Sequence, residues 1–205
     1  MPHLFRLVAL LSGMAFTGQL LAADIDAASY GYPLSNPFEA TLATTPVELR
    51  PNLPADADID QDDYRVRLRP EREFKLPENF WPVTKMGYRL AKQRGVAPLI
   101  FIIAGTGAHY ASSTPEYLKK LFYGAGYHVV QLSSPTSYDF MTSASRFATP
   151  GITREDAEDL YRAMQAVRAQ HPRLKVSEYH LTGYSLGGLQ AAFVSELDET
   201  RRSFN

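Results

Sequence analysis

The sequence predicts an α/β protein, a mostly parallel sheet flanked by helices, on three observations. Apolar runs of strand length alternate with segments whose apolar residues recur at helical spacing, the alternation that builds a parallel sheet between helices. The runs Ala97 to Ala104 and Tyr127 to Leu132 are apolar almost throughout, as strands buried on both faces are. A glycine-flanked serine, Gly183-Tyr184-Ser185-Leu186-Gly187, falls between the last strand candidate and the last helix candidate.

Composition narrows the classes of function. Of 205 residues, 45% are hydrophobic and 21% charged, the balance of an ordinary globular chain with one main domain. The formal net charge of -1 leaves no basic surplus to neutralise phosphates, so nucleic acid is not an expected partner. With no cysteine, the chain has no disulfide, no thiolate metal site and no thiol nucleophile. Its chemistry rests on oxygen and nitrogen groups, and no cofactor or metal is expected.

Residues 1–23 read as a signal peptide. Arg6 precedes the apolar stretch Leu7 to Met14, which continues through Ala15, Phe16 and Leu20 to the small pair Ala22-Ala23. Ser12, Gly13, Thr17, Gly18 and Gln19 interrupt it, whereas a membrane span needs about 20 predominantly apolar residues. The expectation is cleavage near Ala23 and export to the periplasm or the medium, with no stable membrane span in the mature chain. Residues 24–63 hold Pro33, Pro37, Pro46, Pro51 and Pro54 and read as an extended arm or linker without a core. The acidic end of this arm, Asp56 to Asp63, places carboxylates at alternate positions like a calcium loop. Gln61 stands where such a loop needs glycine and Arg67 where it needs glutamate, so a solvated acidic turn is the reading kept.

The domain candidate covers residues 64–205. Tyr64 to Arg69 alternates apolar with cationic residues, a half-buried strand that Pro70 ends. Met86, Tyr88 and Leu90 alternate likewise, giving a second strand antiparallel to the first; a short helix over Val83 to Lys92 is the alternative. After the buried strand Ala97 to Ala104, Thr114 offers an N-cap and Pro115 suits a first helical turn, with Leu118, Leu121, Phe122 and Ala125 on one face. Gly126 closes that helix. Tyr127 to Leu132 is the next strand, followed by a long loop, Ser133 to Gly151. Thr153 and Asp156 form a capping pattern before Ala157, Leu160, Tyr161, Met164 and Val167, which share a helical face until His171-Pro172. Lys175 to Leu181 is the last strand, and Leu189, Ala192, Phe193 and Leu197 mark the expected inner face of the last helix.

The serine sequence fits G-x-S-x-G in a strand-to-helix setting, where a sharp turn lifts the hydroxyl above the sheet. Side chains at Gly183 or Gly187 would crowd the neighbouring strand and helix, and the helix N-terminus behind Ser185 favours developing negative charge. The strand ending at Ala104 empties into Gly105-Thr106-Gly107. A dinucleotide fingerprint there fails, because its third glycine would fall on Tyr110 and no acidic residue stands about 20 positions further on. His109, His128, His171 and His180 each have an ordinary structural reading, and none is assigned as a base.

On these residues the chain resembles the α/β-hydrolase family over roughly Tyr64 to Arg202. The resemblance implies that Ser185 is a catalytic nucleophile and that the backbone N–H groups of Leu186 and Thr106 form the oxyanion hole, with Gly105 leaving room for substrate and Gly107 completing the loop. Ala104 stands where many members have histidine. The implied activity is an exported serine hydrolase (esterase or lipase-like) acting on a small-molecule or lipid-like ester. The same parts serve an acyltransferase, and a binding domain that keeps the fold without catalysis is the rival from another class. In the family the acid and histidine follow the serine, but no histidine follows Ser185, and Glu196, Asp198 and Glu199 come too early for the acid loop. The expectation is therefore a partial domain, truncated after the nucleophile helix, with little turnover by itself. In the loop from Ser133 to Gly151, Tyr138, Phe140, Met141 and Phe147 either form an apolar pocket or anchor the loop to the sheet.

Overall fold

The protein is described by a computed structural model covering residues 34, 36–42, 50–68, 75, 78, 84–147 and 149–204. The signal-peptide segment lies outside the described residues. Two compact units divide at Arg50, Met1–Arg50 and Pro51–Asn205. Within the first, a short helix α1 (Pro37–Leu42) interrupts the expected extended arm; the Asn36 carboxamide oxygen accepts the N–H of Phe38 and Glu39 at its start.

The second unit is a five-stranded sheet in the order β1-β2-β4-β3-β5. β1 (Gln61–Val66) runs antiparallel to β2 (Met86–Ala91), and β2 antiparallel to β4 (His128–Leu132). β3 (Ala97–Ile103) is parallel to both β4 and β5 (Val176–Gly183). The described residues 84–92 thus hold the strand Met86–Ala91 and not the alternative helix. β1 starts three residues before the expected Tyr64, inside the segment read as a linker. Its polar start is compatible with an edge strand, where side chains reach water and Asp63 pairs with Arg89 at 2.7 Å. Ile59, just ahead of it, is buried, so the end of the arm does contribute to the core.

Alternation along β3 sorts the core into two layers. Leu99, Phe101 and Ile103 face one side with Tyr88, Leu132 and the helices α3 (Tyr138–Ser143), α4 (Thr153–Gln170) and α5 (Leu186–Arg201). Ile100 and Ile102 face the other with Val129, Ile59 and the partly buried Leu118 and Phe122 of α2 (Ser113–Gly124). Each large apolar side chain fully buried this way contributes about 1.5–3 kcal/mol.

Polar residues account for most departures from the apolar pattern. α2 begins after Ser112, two residues before the expected cap, and its most buried side chain is a cation: the Lys119 ammonium sits among Glu116 (2.7 Å), Gln61 (2.6 Å) and Asp56 (3.4 Å). Asp56 also binds Lys120 at 3.0 Å, so this end of the acidic turn is tied to α2 by ion pairs. α3 was not expected at all. Thr153 is the first residue of α4 and not its cap; the Asp156 carboxylate instead reaches back to accept the Gly151 N–H at 2.7 Å. The inner face of α5 is the expected one only in part: Phe193 and Leu197 pack on the core. Leu189 is half exposed and Ala192 exposed, while Gly187, Gln190, Val194 and Asp198 point inward, because both polar groups find buried partners: Gln190 bonds Asp156 (3.1 Å) and Asp198 accepts the Tyr161 hydroxyl (2.6 Å).

Candidate active site

β3, β4 and β5 are parallel, so the segments that follow them leave the sheet at the same end, where open α/β sheets bind ligands. β5 ends at Gly183 and α5 begins at Leu186, leaving a two-residue turn. Ser185 in that turn has φ 54° and ψ -126°, a conformation that L side chains rarely adopt and that costs about 1–3 kcal/mol. Its side chain is exposed and does not cap α5.

The flanking glycines explain how the strain is held. A β-carbon at Gly183 would lie 2.3 Å from the backbone of Gly187, and one at Gly187 would lie 2.2 Å from the Ile103 carbonyl and 2.7 Å from that of Ala104. The start of α5 therefore rests directly on the end of β3. Turn bonds from the Gly187 N–H to the Tyr184 carbonyl (2.9 Å) and from the Gly188 N–H to the Ser185 carbonyl (3.0 Å) close the elbow.

The loop after β3 comes up beside the serine. A β-carbon at Gly105 would meet the Tyr184 ring at 2.8 Å and the Ser185 β-carbon at 3.1 Å, so this glycine lets the loop approach the elbow itself. Residues 105–108 form a turn closed by the Ala108 N–H on the Gly105 carbonyl (3.0 Å), with Gly107 at φ 68°. The Gly107 N–H is engaged by the Thr136 hydroxyl at 2.8 Å. Among the described residues the N–H groups of Thr106 and Leu186 have no hydrogen-bond partner, leaving both free to serve an anionic oxygen.

The described histidines contact residues other than Ser185. His128 is buried, accepts the Gln93 N–H on Nδ1 (2.9 Å) and faces the Lys175 carbonyl with Nε2 (3.1 Å); burial lowers its pKa. His171 Nε2 is 2.7 Å from the Tyr88 hydroxyl, and burial lowers its pKa as well. His180 packs edge-on against Tyr127. His109 accepts the Ala111 N–H on Nδ1 (3.2 Å), which places the proton on Nε2, 3.8 Å from Asp139. None of these four bonds Ser185. Asp198 is committed to Tyr161 and to the N–H groups of Ser203 and Phe204. The loop aromatics divide: Phe140 is fully buried and anchors α3, Tyr138 is exposed, and Phe147 lies beside the Arg146 guanidinium at a cleft of about 330 Å³ between α4 and α5.

What the sequence reading missed is the segment behind the oxyanion loop. Ser133, Ser134 and Ser137 are buried, and Asp139 accepts hydroxyls from Ser133 (2.8 Å) and Ser137 (2.6 Å). The run Ser133-Ser134-Pro135-Thr136-Ser137, straight after a buried strand, was the available signal.

Sheet order, strained serine and the close-packed glycines together define an α/β-hydrolase fold. Brefeldin A esterase, a bacterial homologue of human hormone sensitive lipase, has this fold with a TM-score of 0.50 at 17% identity, over 80% of this chain and 41% of that one. A dienelactone hydrolase from Anabaena variabilis gives 0.46 at 19% identity, over 68% of this chain and 60% of its own. An esterase from an Arctic intertidal metagenomic library gives 0.46 at 12%, over 73% and 61%. The chain thus spans 60% and 41% of the lengths of the first two structures. No family model and no curated protein matches the sequence.

Proposed function

We propose that Ser185 is the nucleophile of a serine hydrolase that cleaves small or lipid-like carboxylic esters through an acyl-serine intermediate. The observation that carries this reading is the strained backbone of Ser185 beside two unpaired amides, those of Thr106 and Leu186. Ser185 Oγ attacks the ester carbonyl, and the oxyanion that forms takes hydrogen bonds from both amides. Collapse expels the alcohol, and water then releases the acid and restores the serine. Each half-reaction requires a base for the attacking hydroxyl, and none of the four described histidines hydrogen-bonds Ser185. The proposal for this chain alone is therefore an intact nucleophile and oxyanion site with turnover close to background.

A fluorophosphonate probe with peptide mass spectrometry tests this. Expected is slow modification confined to Ser185 and lost in Ser185→Ala, with p-nitrophenyl ester hydrolysis no faster than that variant. Labelling that survives the substitution overturns the reading.

Export is proposed on the strength of Arg6, the apolar stretch after it and Ala22-Ala23. Among the described residues no helix is long and apolar enough to cross a membrane. Protein from a Gram-negative host should carry an N-terminus at or near Asp24; an intact Met1 terminus in the cytoplasm contradicts it.

A further inference from the structure

The oxyanion loop does not stand by itself. It is tied at three points to the segment that follows β4: the Gly107 N–H to Thr136 Oγ1 (2.8 Å), the Ala108 carbonyl to the Ser134 N–H (2.9 Å), and the Tyr110 N–H to Ser133 Oγ (2.9 Å). Behind these bonds the hydroxyls are themselves fixed. Thr136 Oγ1 lies 2.8 Å from Ser134 Oγ, which also accepts the Thr136 N–H at 3.3 Å. Ser133 and Ser137 both converge on the Asp139 carboxylate at the start of α3. Ser133, Ser134 and Ser137 are buried in this lattice, where a hydroxyl without a partner would be costly.

Thr136 has a particular place in it. The turn of residues 105–108, which lies beside the elbow, carries two neighbouring amides, those of Thr106 and Gly107. The Thr136 hydroxyl engages the second, and so decides which amide is left free. Gly107 has a left-handed φ and nothing within 4 Å of a β-carbon position, so no packing closes on that side of it, and the bond to Thr136 is what engages its amide.

We infer that Thr136 is a positioning residue for ester hydrolysis: by binding the Gly107 amide it fixes the oxyanion loop with the Thr106 N–H directed at the carbonyl oxygen attacked by Ser185. The inference rests on Ser185 being the nucleophile. It adds a residue that touches neither substrate nor the reacting atoms, carried by a loop distant in sequence from the elbow.

The test compares Thr136→Val, which keeps the shape and removes the hydroxyl, with Thr136→Ser, which keeps the hydroxyl. Two measurements are made on the full chain. In the first, fluorophosphonate labelling of Ser185 is followed against probe concentration. Thr136→Val should lower the saturating rate about tenfold, a fraction of the loss seen when an oxyanion donor is removed outright. The half-saturating concentration should stay within about twofold, and Thr136→Ser should restore the rate. In the second, amide hydrogen exchange is measured at Gly107. Exchange should accelerate at least tenfold in Thr136→Val and return in Thr136→Ser, with the amides of β3 unchanged. Equal labelling rates in wild type and Thr136→Val overturn the inference, as does unchanged exchange at Gly107. A wild type that never labels at Ser185, with Gly107 exchange responding as expected, overturns the proposed nucleophile and with it the catalytic meaning of Thr136.

Discussion

Along β3 six of seven residues are buried, whereas its parallel neighbour β5 has none fully buried and exposes Ser177 and Glu178. β3 is seated by apolar side chains on both faces, Phe101 and Ile103 on one and Ile100 and Ile102 on the other. β5 lies at the edge of the described sheet and is backed by α5, whose inward polar groups reach α4: Gln190 to Asp156 and Asp198 to Tyr161. The strained serine nevertheless sits at the end of β5. Its geometry is held from next door, where the Ile103 and Ala104 carbonyls press against Gly187. A demanding local conformation is thus carried by the less buried strand and kept in place by the more buried one.

The sharpest way to break that arrangement is to fill the contact. Gly187→Ala places a methyl group 2.2 Å from the Ile103 carbonyl, with backbone on both sides and no flexible side chain to yield. We expect a loss of about 3 kcal/mol or more, read as a lower denaturation midpoint, together with loss of labelling at Ser185. Gly107→Ala is the control on the neighbouring loop. It meets nothing within 4 Å and pays only for its left-handed φ, about 1 kcal/mol. Equal costs for the two would mean that β3 does not hold the elbow.

These two glycines also show what was legible in the sequence. Gly183 and Gly187 were readable because crowding at a strand-to-helix turn is a local demand, visible in five residues. The parallel strands and α2, α4 and α5 were readable because burial on a sheet imposes a period. The inner face of α5 was readable only in Phe193 and Leu197, because Gln190 and Asp198 turn inward only where Asp156 and Tyr161, distant in sequence, stand ready to bond them. Lys119 escaped for the same reason: its burial depends on Gln61 and Glu116 arriving beside it. The oxyanion loop was located by its glycines, while the hydroxyls that hold it lay in a segment without periodicity. Sequence pattern reports apolar burial well, and buried polar pairing hardly at all.

That same difference predicts which part of the molecule responds to pH. Asp156 is almost fully buried, and burial pushes its carboxyl up from an ordinary 3.8 to about 6, with the neighbouring Asp159 and Glu155 acting in the same direction and the Gly151 N–H and the Gln190 amide opposing it. Between those two values the folded chain keeps a proton that the unfolded chain has released. The contribution of Asp156 to stability is therefore complete below pH 3.8 and is lost as the pH rises through about 6, a change of about 3 kcal/mol. Gln190 Oε1 is a buried acceptor with no partner, so a proton on Asp156 also offers it a donor once the amide turns over. Because Asp156 joins α4 to α5, the loosening at higher pH should appear first in the amides of α5 and leave those of β3 unaffected. Asp156→Asn keeps an acceptor for the Gly151 N–H but carries no charge, and should be the more stable protein at pH 7 while losing its advantage near pH 4. Hydrogen exchange and urea denaturation of both proteins between pH 4 and 7 would show this. Parallel pH profiles for the two, or loosening of β3 together with α5, would mean that the polar seat of α5 does not set the response.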